Sequence, residues 1–351
     1  MTTLPTIRAA HRVTSTLALC LGALTLGSAL MGSAQATEAG MRGYAVPMPE
    51  GPAATALLFY PTEQAAQAIP AGPFQPIVAP GAPLPERVKG LIVLSHGTGG
   101  TEMGHHDLAR ALAQAGYLVA ALKHPKDNWQ DRSLAQRPDY FVERPRQLSR
   151  LLDTVLADPD WKDRIPAGRI GALGHSAGGY SVLALAGGRP DLSALRQHCQ
   201  AHAAADPGFC HLGKHALQNP APTPAPTAAS AAPDLRDARV RSVVAMAPVG
   251  RVFDASSVAG MTRTTLVLSA AQDEVLAPAF HGRRLRELMP QAVHEEHADA
   301  GHFAFMAQPL TALPSDAGDA AANPAGFDRP GFLKRLATRV LAHFDQTLGG
   351  Q

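Results

Sequence analysis

Ile170-Gly171-Ala172-Leu173-Gly174-His175-Ser176-Ala177-Gly178-Gly179 is the stretch that decides how this chain folds. Residues suited to a strand buried on both faces lead into a serine set among glycines, and a helix-compatible run from Tyr180 to Ala186 follows. A G-x-S-x-G between strand and helix describes a sharp turn that strains the serine backbone and lifts its hydroxyl clear of the sheet. Side chains at Gly174 or Gly178 would collide with neighbouring elements. The N-terminus of the following helix would face any negative charge developing at the serine. The bland alternative is a glycine-rich turn with an incidental serine, and the flanking strand and helix patterns argue against it.

On both sides of this turn, strand-like and helix-like segments alternate from Val88 to the C-terminus, which predicts a mostly parallel central sheet with helices on both faces. The apolar runs Gly90–Ser95, Tyr117–Leu122, Ile170–Leu173, Val243–Ala247 and Thr265–Ser269, and a last strand near Val293, suit strands covered on both sides. Asp107–Gln114, Arg146–Leu156 and Pro330–Leu348 carry apolar residues at helical spacing. Tyr44–Met48 and Ala56–Tyr60 read as short strands of an antiparallel edge, and Pro70–Pro85 as a surface connector. The segment 187–237 reads as a helix-poor insertion after the nucleophile helix, its Pro220–Pro233 portion too rich in Pro, Ala, Thr and Ser to bury a core. No internal repeat is visible.

A serine hydroxyl is a weak nucleophile near neutral pH, so a base has to accept its proton as it attacks. In this kind of fold the order along the chain is Ser, then Asp or Glu, then His. Of the 15 histidines, His302 in Asp299-Ala300-Gly301-His302-Phe303 falls on the loop after the last strand and is the expected base; His281, His294 and His297 are its rivals. Asp273, just past the strand Thr265–Ser269, is the expected acid that orients the imidazole, with Glu274 and Asp299 as alternatives. A tetrahedral intermediate also needs two amide donors. Ala177 supplies one, and the loop His96-Gly97-Thr98-Gly99-Gly100 the other, from Thr98 or alternatively Gly97.

At 351 residues the chain suits one large α/β domain with an export peptide and an insertion. A formal net charge of +2 with interspersed signs gives no basic stripe for nucleic acid. Arg8 and Arg12, the apolar run Val13–Met31 and the small residues ending Ser33-Ala34-Gln35-Ala36 read as a secretory signal over 1–36, leaving 37–351 as the catalytic domain with no stable membrane span. The expected location is therefore periplasmic or secreted. Without that leader Cys199 and Cys210 remain, and an even pair in an oxidising compartment predicts a disulfide. His198, His202, His211 and His215 beside these cysteines have spacings that also suit zinc, the competing reading. Trp129 and Trp161 read as packing residues, with Trp129 able to border the site.

At these motifs the chain resembles the predicted dienelactone hydrolases and the platelet-activating-factor acetylhydrolase-like serine esterases of the α/β-hydrolase superfamily. The matching residues are Tyr60-Pro61-Thr62, Ser95-His96-Gly97-Thr98-Gly99-Gly100, His124-Pro125, Gly174-His175-Ser176-Ala177-Gly178-Gly179, Asp273 and Gly301-His302. The resemblance implies the α/β-hydrolase fold and hydrolysis of carboxylic esters, small-molecule or lipid, with short acyl groups and no metal or organic cofactor. True dienelactone hydrolases carry a cysteine where this chain has Ser176. An exported peptidase of the same fold and a non-catalytic binding protein that keeps the fold are the rival readings.

Overall fold

A computed structural model describes residues 37–137, 139–212, 233–261 and 263–349. The leader expected over 1–36, the Pro/Ala-rich run as far as Ala232, and His215 lie outside the described residues. One sheet of ten strands organises the rest. In chain order these are β1 (Glu38–Val46), β2 (Ala54–Thr62), β3 (Gln67–Ala68), β4 (Ile77–Pro80), β5 (Leu91–Ser95), β6 (Leu118–Leu122), β7 (Ile170–His175), β8 (Ser242–Met246), β9 (Thr264–Ala270) and β10 (Val293–His297). Their spatial order is β10-β9-β8-β7-β5-β6-β2-β1-β4-β3. Strands β5 to β10 are mutually parallel, and β2 joins β6 antiparallel.

The apolar runs became central strands because both faces of the sheet are covered. Along β5, Leu91 and Val93 point to one face and Ile92 and Leu94 to the other, the two-residue period of a pleated strand. On the first face lie α2 (Tyr140–Ala157), through Leu148, Leu151, Leu152 and Val155, and α3 (Ala177–Leu185). On the second lie α1 (His106–Gln114), through Leu108 and Leu112, and the last helix, Arg329–Leu348, through Phe332, Leu336, Val340 and Phe344. Full burial of a Leu or Phe contributes about 1.5–3 kcal/mol, so these two stripes carry much of the folding free energy. Trp161 is wholly buried, as expected, and packs against Tyr60 at a ring distance of 5.5 Å.

Several expectations need correction. The strands β1 and β2 pair antiparallel but are not an edge: β2 extends the sheet from β6, and β4 and β3 lie beyond β1. The Pro-rich connector contributes β4, parallel to β1, because Val78 and Ala79 are buried and the prolines sit at its end and outside it. The insertion is not helix-poor over its described part. Asp191 caps α4 (Leu192–His202) by accepting from the amides of Ser193 and Ala194, and Pro207 opens α5 (Pro207–Leu212).

The topology fixes where chemistry can occur. β6 lies on one side of β5 and β7 on the other, so the chain reverses its winding direction between β5 and β7. Ser95 and Gly174 are partners in that pair. The loops leaving these two strands diverge to opposite faces and open a crevice at the carboxyl ends of the strands.

Candidate active site

Ser176 stands at that switch point, between β7 and α3. Its backbone has φ 58° and ψ −119°, a left-handed-side conformation that an L-residue adopts only under constraint. The constraint is visible: the Ser176 amide donates to the carbonyl of Met246 at 2.9 Å, and Tyr180 and Val249 donate to the Ser176 carbonyl. A Cβ at Gly178 would overlap the carbonyl oxygen of Ser95, so only glycine lets α3 lie this close to β5. A Cβ at Gly97 would stand 3.2 Å from the Ser176 Cβ and 3.6 Å from its Oγ, which places the glycine loop directly beside the hydroxyl.

His302 begins a short 3-10 turn after β10 and is buried. Its Nδ1 donates to Asp273 Oδ2 at 2.8 Å. A carboxylate only accepts, so Nδ1 carries the proton and Nε2 is left as the basic nitrogen. Asp273 is itself held: its Oδ1 accepts the amides of Val275 at 2.9 Å and Leu276 at 2.7 Å. His302 is tied to the serine turn through His175, whose Nε2 donates to the His302 carbonyl at 2.9 Å and whose ring lies 4.8 Å from the His302 ring. No hydrogen bond joins His302 Nε2 to Ser176 Oγ among the described residues. Such contacts commonly tighten only when substrate is bound.

The rivals are placed elsewhere. Glu274 and Asp299 are exposed. His281 bonds Asp206 and precedes the first residue of the helix Gly282–Leu288. His294 bonds the carbonyl of Met289, and His297 packs on Phe332.

Two amide sources flank the hydroxyl. Ala177 is the first residue of α3, where an N–H has no acceptor within the helix. In the glycine loop the amide of Gly99 is taken by Asp127 Oδ1 at 2.9 Å and that of Gly100 by the Gly97 carbonyl at 3.1 Å, leaving Gly97 and Thr98. The Thr98 hydroxyl lies 2.6 Å from the Tyr140 hydroxyl. Beneath this loop is a buried polar layer that sequence reasoning missed. Arg144 and Asp127 form an ion pair with both side chains 0 % exposed, and Ser95 and His124 share a 2.8 Å hydrogen bond beside it. Burial, then the Arg144 charge, pushes His96 down to about 4, and burial holds His124 well below the ordinary histidine range. Arg144 lies on the buried face of α2 because the helix begins at Tyr140, ahead of the Arg146 start that the apolar spacing predicts.

Cys199 and Cys210 are joined in a disulfide with Cα atoms 5.4 Å apart. His198 Nε2 bonds Asp206 Oδ2 at 2.8 Å, His211 Nδ1 bonds the Pro207 carbonyl, and among the described residues no group of three or more His, Cys, Asp or Glu could hold a metal ion. Trp129 is not a packing residue; it is 64 % exposed, with its amide bonded to the Gly100 carbonyl at 3.0 Å, at the rim of the glycine loop. Among the described residues no helix is long and apolar enough to cross a membrane.

A mostly parallel sheet reversing direction at β5/β7, with a strained serine at the strand-to-helix turn and a histidine–aspartate pair on the later loops, is the α/β-hydrolase fold. Comparison with known proteins agrees. A ferulic acid esterase from Streptomyces cinnamoneus superposes with a TM-score of 0.57 at 16% identity, covering 91% of this chain and 92% of that one. A puromycin-hydrolysing peptidase of Mycobacterium tuberculosis superposes with a TM-score of 0.51 at 13% identity, covering 89% of this chain and 40% of the other. In sequence, the cutinase est1 of Thermobifida alba is 36% identical over 107 residues, which is 30% of this chain. Cutinase 2 of Thermobifida cellulosilytica is 32% identical over the same length. The match spans about a third of the length of these curated relatives. No family model matches the chain.

Proposed function

We propose that the chain is an exported serine carboxylesterase that acts through an acyl-enzyme on Ser176. The observation that carries the reading is the 2.8 Å bond from His302 Nδ1 to Asp273 Oδ2, which leaves a basic Nε2 on the loop tied to the serine turn. Ser176 attacks the ester carbonyl as His302 takes its proton, with the imidazolium stabilised by Asp273. The oxyanion is held by the amide of Ala177 and by that of Thr98 or Gly97. The proton passes from His302 to the leaving alkoxide, and water, activated by the same imidazole, releases the acid.

The named cutinases and ferulic acid esterase support an ester substrate, small-molecule or lipid. The disulfide supports an oxidising compartment, periplasmic or extracellular. The catalytic domain is assigned to 37–351 and the insertion to 187–237. Ser176→Ala should abolish turnover of p-nitrophenyl acetate and labelling by a fluorophosphonate while leaving the circular dichroism spectrum unchanged; wild-type turnover in that variant would remove the proposal.

The peptidase neighbour gives a second reading, hydrolysis of an aminoacyl amide on the same residues. Parallel assays with p-nitrophenyl esters and aminoacyl p-nitroanilides separate the two, the ester reading requiring the larger kcat/KM on esters.

A further inference from the structure

The Arg144–Asp127 pair beneath the glycine loop has no part in the proton transfers above, yet it bonds main-chain groups of that loop at His96 and Gly99. Asp127 Oδ1 accepts the Gly99 amide at 2.9 Å. Arg144 Nη1 pairs with Asp127 Oδ2, and Nη2 donates to the His96 carbonyl and reaches Ser95 Oγ at 3.3 Å. Arg144 Nε extends to Ser181 Oγ, in α3, at 3.4 Å. Tyr140 donates to Asp127 Oδ2 at 3.0 Å, and its oxygen lies 2.6 Å from Thr98 Oγ1. A carboxylate paired with a guanidinium is a stronger acceptor than a hydroxyl, so the Tyr140 proton goes to Asp127, and the Thr98 hydroxyl then donates to the tyrosine oxygen. The loop is therefore gripped at residues 95, 96, 98 and 99, and the amides left over belong to Gly97 and Thr98.

The peptide plane makes this grip directional. In a trans peptide the C=O and the following N–H point opposite ways, so committing the His96 carbonyl to Arg144 turns the Gly97 N–H away from the pair. The Gly99 N–H committed to Asp127 fixes the next peptide plane but one in the same manner. A fully buried ion pair is a poor device for stability alone, since apolar residues of similar volume commonly serve as well. Its contacts with main-chain groups on either side of Gly97 and Thr98 give it another use.

We propose that Arg144, Asp127 and Tyr140 form a buried clamp of positioning residues that holds the glycine loop with its free amides aimed at the carbonyl oxygen attacked by Ser176. The proposal rests on the esterase reading. Because an oxyanion exists only after attack, loss of the clamp lowers kcat and leaves KM nearly unchanged.

Four variants test it: Tyr140→Phe, which removes only the hydroxyl; Asp127→Asn; Arg144→Met; and the double variant Arg144→Met/Asp127→Leu, which exchanges the whole pair for apolar volume. Leu151→Ala, a truncation of a buried apolar residue on the same helix with no polar link to the loop, controls for lost stability. Each is assayed with p-nitrophenyl acetate, and its melting temperature is measured. The clamp requires kcat to fall about tenfold or more in the pair variants and about threefold in Tyr140→Phe, with KM within threefold and Leu151→Ala near the wild-type kcat. Tyr140→Phe keeps the ion pair and so keeps the test open even where the pair variants unfold. Wild-type kcat in any folded member of the four overturns the clamp, as does an equal loss of kcat in Leu151→Ala. Failure of the esterase reading shows separately, as wild-type turnover that survives Ser176→Ala.

Discussion

His175, the residue before the elbow serine, donates its Nε2 proton to the carbonyl oxygen of His302 at 2.9 Å, so the turn that carries the proposed nucleophile also holds the backbone of the proposed base. A carbonyl can only accept, which fixes the His175 tautomer and leaves its buried Nδ1 without a partner among the described residues. Burial, then the neighbouring His302, pushes His175 well below the usual histidine range, so the ring is neutral. His175→Phe keeps an aromatic ring and loses the donor. A net hydrogen bond contributes about 0.5–1.5 kcal/mol, so kcat should fall about two- to tenfold while KM stays constant. Steady-state kinetics on a short-chain ester read this directly, and an unchanged kcat would show that the carbonyl bond does not position the base.

The close approach of α3 to β5 predicts what a single methyl does at the elbow. In Gly178→Ala the new Cβ overlaps the Ser95 carbonyl and stands 2.7 Å from the His96 carbonyl oxygen, and neither is a flexible side-chain end that can swing aside. Overpacking of this kind costs about 1–3 kcal/mol, and the displacement falls on the glycine loop itself. The variant should melt lower and lose most esterase turnover. Gly43→Ala meets nothing within 4 Å and serves as the tolerated comparison. Equal melting temperatures and rates in the two variants would contradict the packing argument.

The elbow and the parallel strands were legible because their signals are local. A strand covered on both faces is an apolar run, and the nucleophile turn has to place glycines at fixed offsets from the serine. His302 and Asp273 followed from chain order, and the structure brings those two together. What stayed hidden depends on pairing across space. Asp127 and Arg144 are 17 residues apart, and nothing local marks them as a pair before the fold buries both. The strand β4 escaped notice because its prolines suggested a connector, and α4 because Leu192, Leu195 and Cys199 make a short, weak stripe. Trp129 reads as a packing residue because large aromatic residues usually are, and only the fold sets it exposed at the rim of the glycine loop.

The disulfide reaches the site through Asp206. That carboxylate lies between α4 and α5, inside the span closed by Cys199 and Cys210, and accepts from His198, His281 and the Ala277 amide. Ala277 follows the turn whose amides hold Asp273. Opening the bridge should lower stability by about 2–3 kcal/mol through the entropy of the freed loop. It should also loosen the acid loop, so kcat falls with the melting temperature. The Cys199→Ser/Cys210→Ser variant, compared with wild type with and without reductant, checks both. An unchanged melting temperature on verified reduction would exclude a structural contribution.

The buried histidines set the response to acid. Burial lowers His96, His106 and His343 to about 4 and His105 to about 3, and pushes His124 and His175 well below the ordinary 6.5. In each case the folded pKa lies below the unfolded one, so between the two values the unfolded chain binds the extra proton. Stability from these groups is therefore complete above about pH 6.5 and declines as pH falls, by about 1.4 kcal/mol per pH unit for each group kept fully neutral. Asp107 acts in the opposite sense. Its burial raises the carboxyl to about 6, so the folded state holds a proton that the unfolded state has released, and protonation near pH 6 and below favours folding. One such carboxyl offsets one histidine, not six. The melting temperature should fall steeply from pH 7 to pH 5, and His343→Gln, which removes one buried imidazole, should flatten the slope by up to one proton. Calorimetric scans across that range decide the matter: a melting temperature that is level or rises toward pH 5 would mean these imidazoles are not held neutral in the fold.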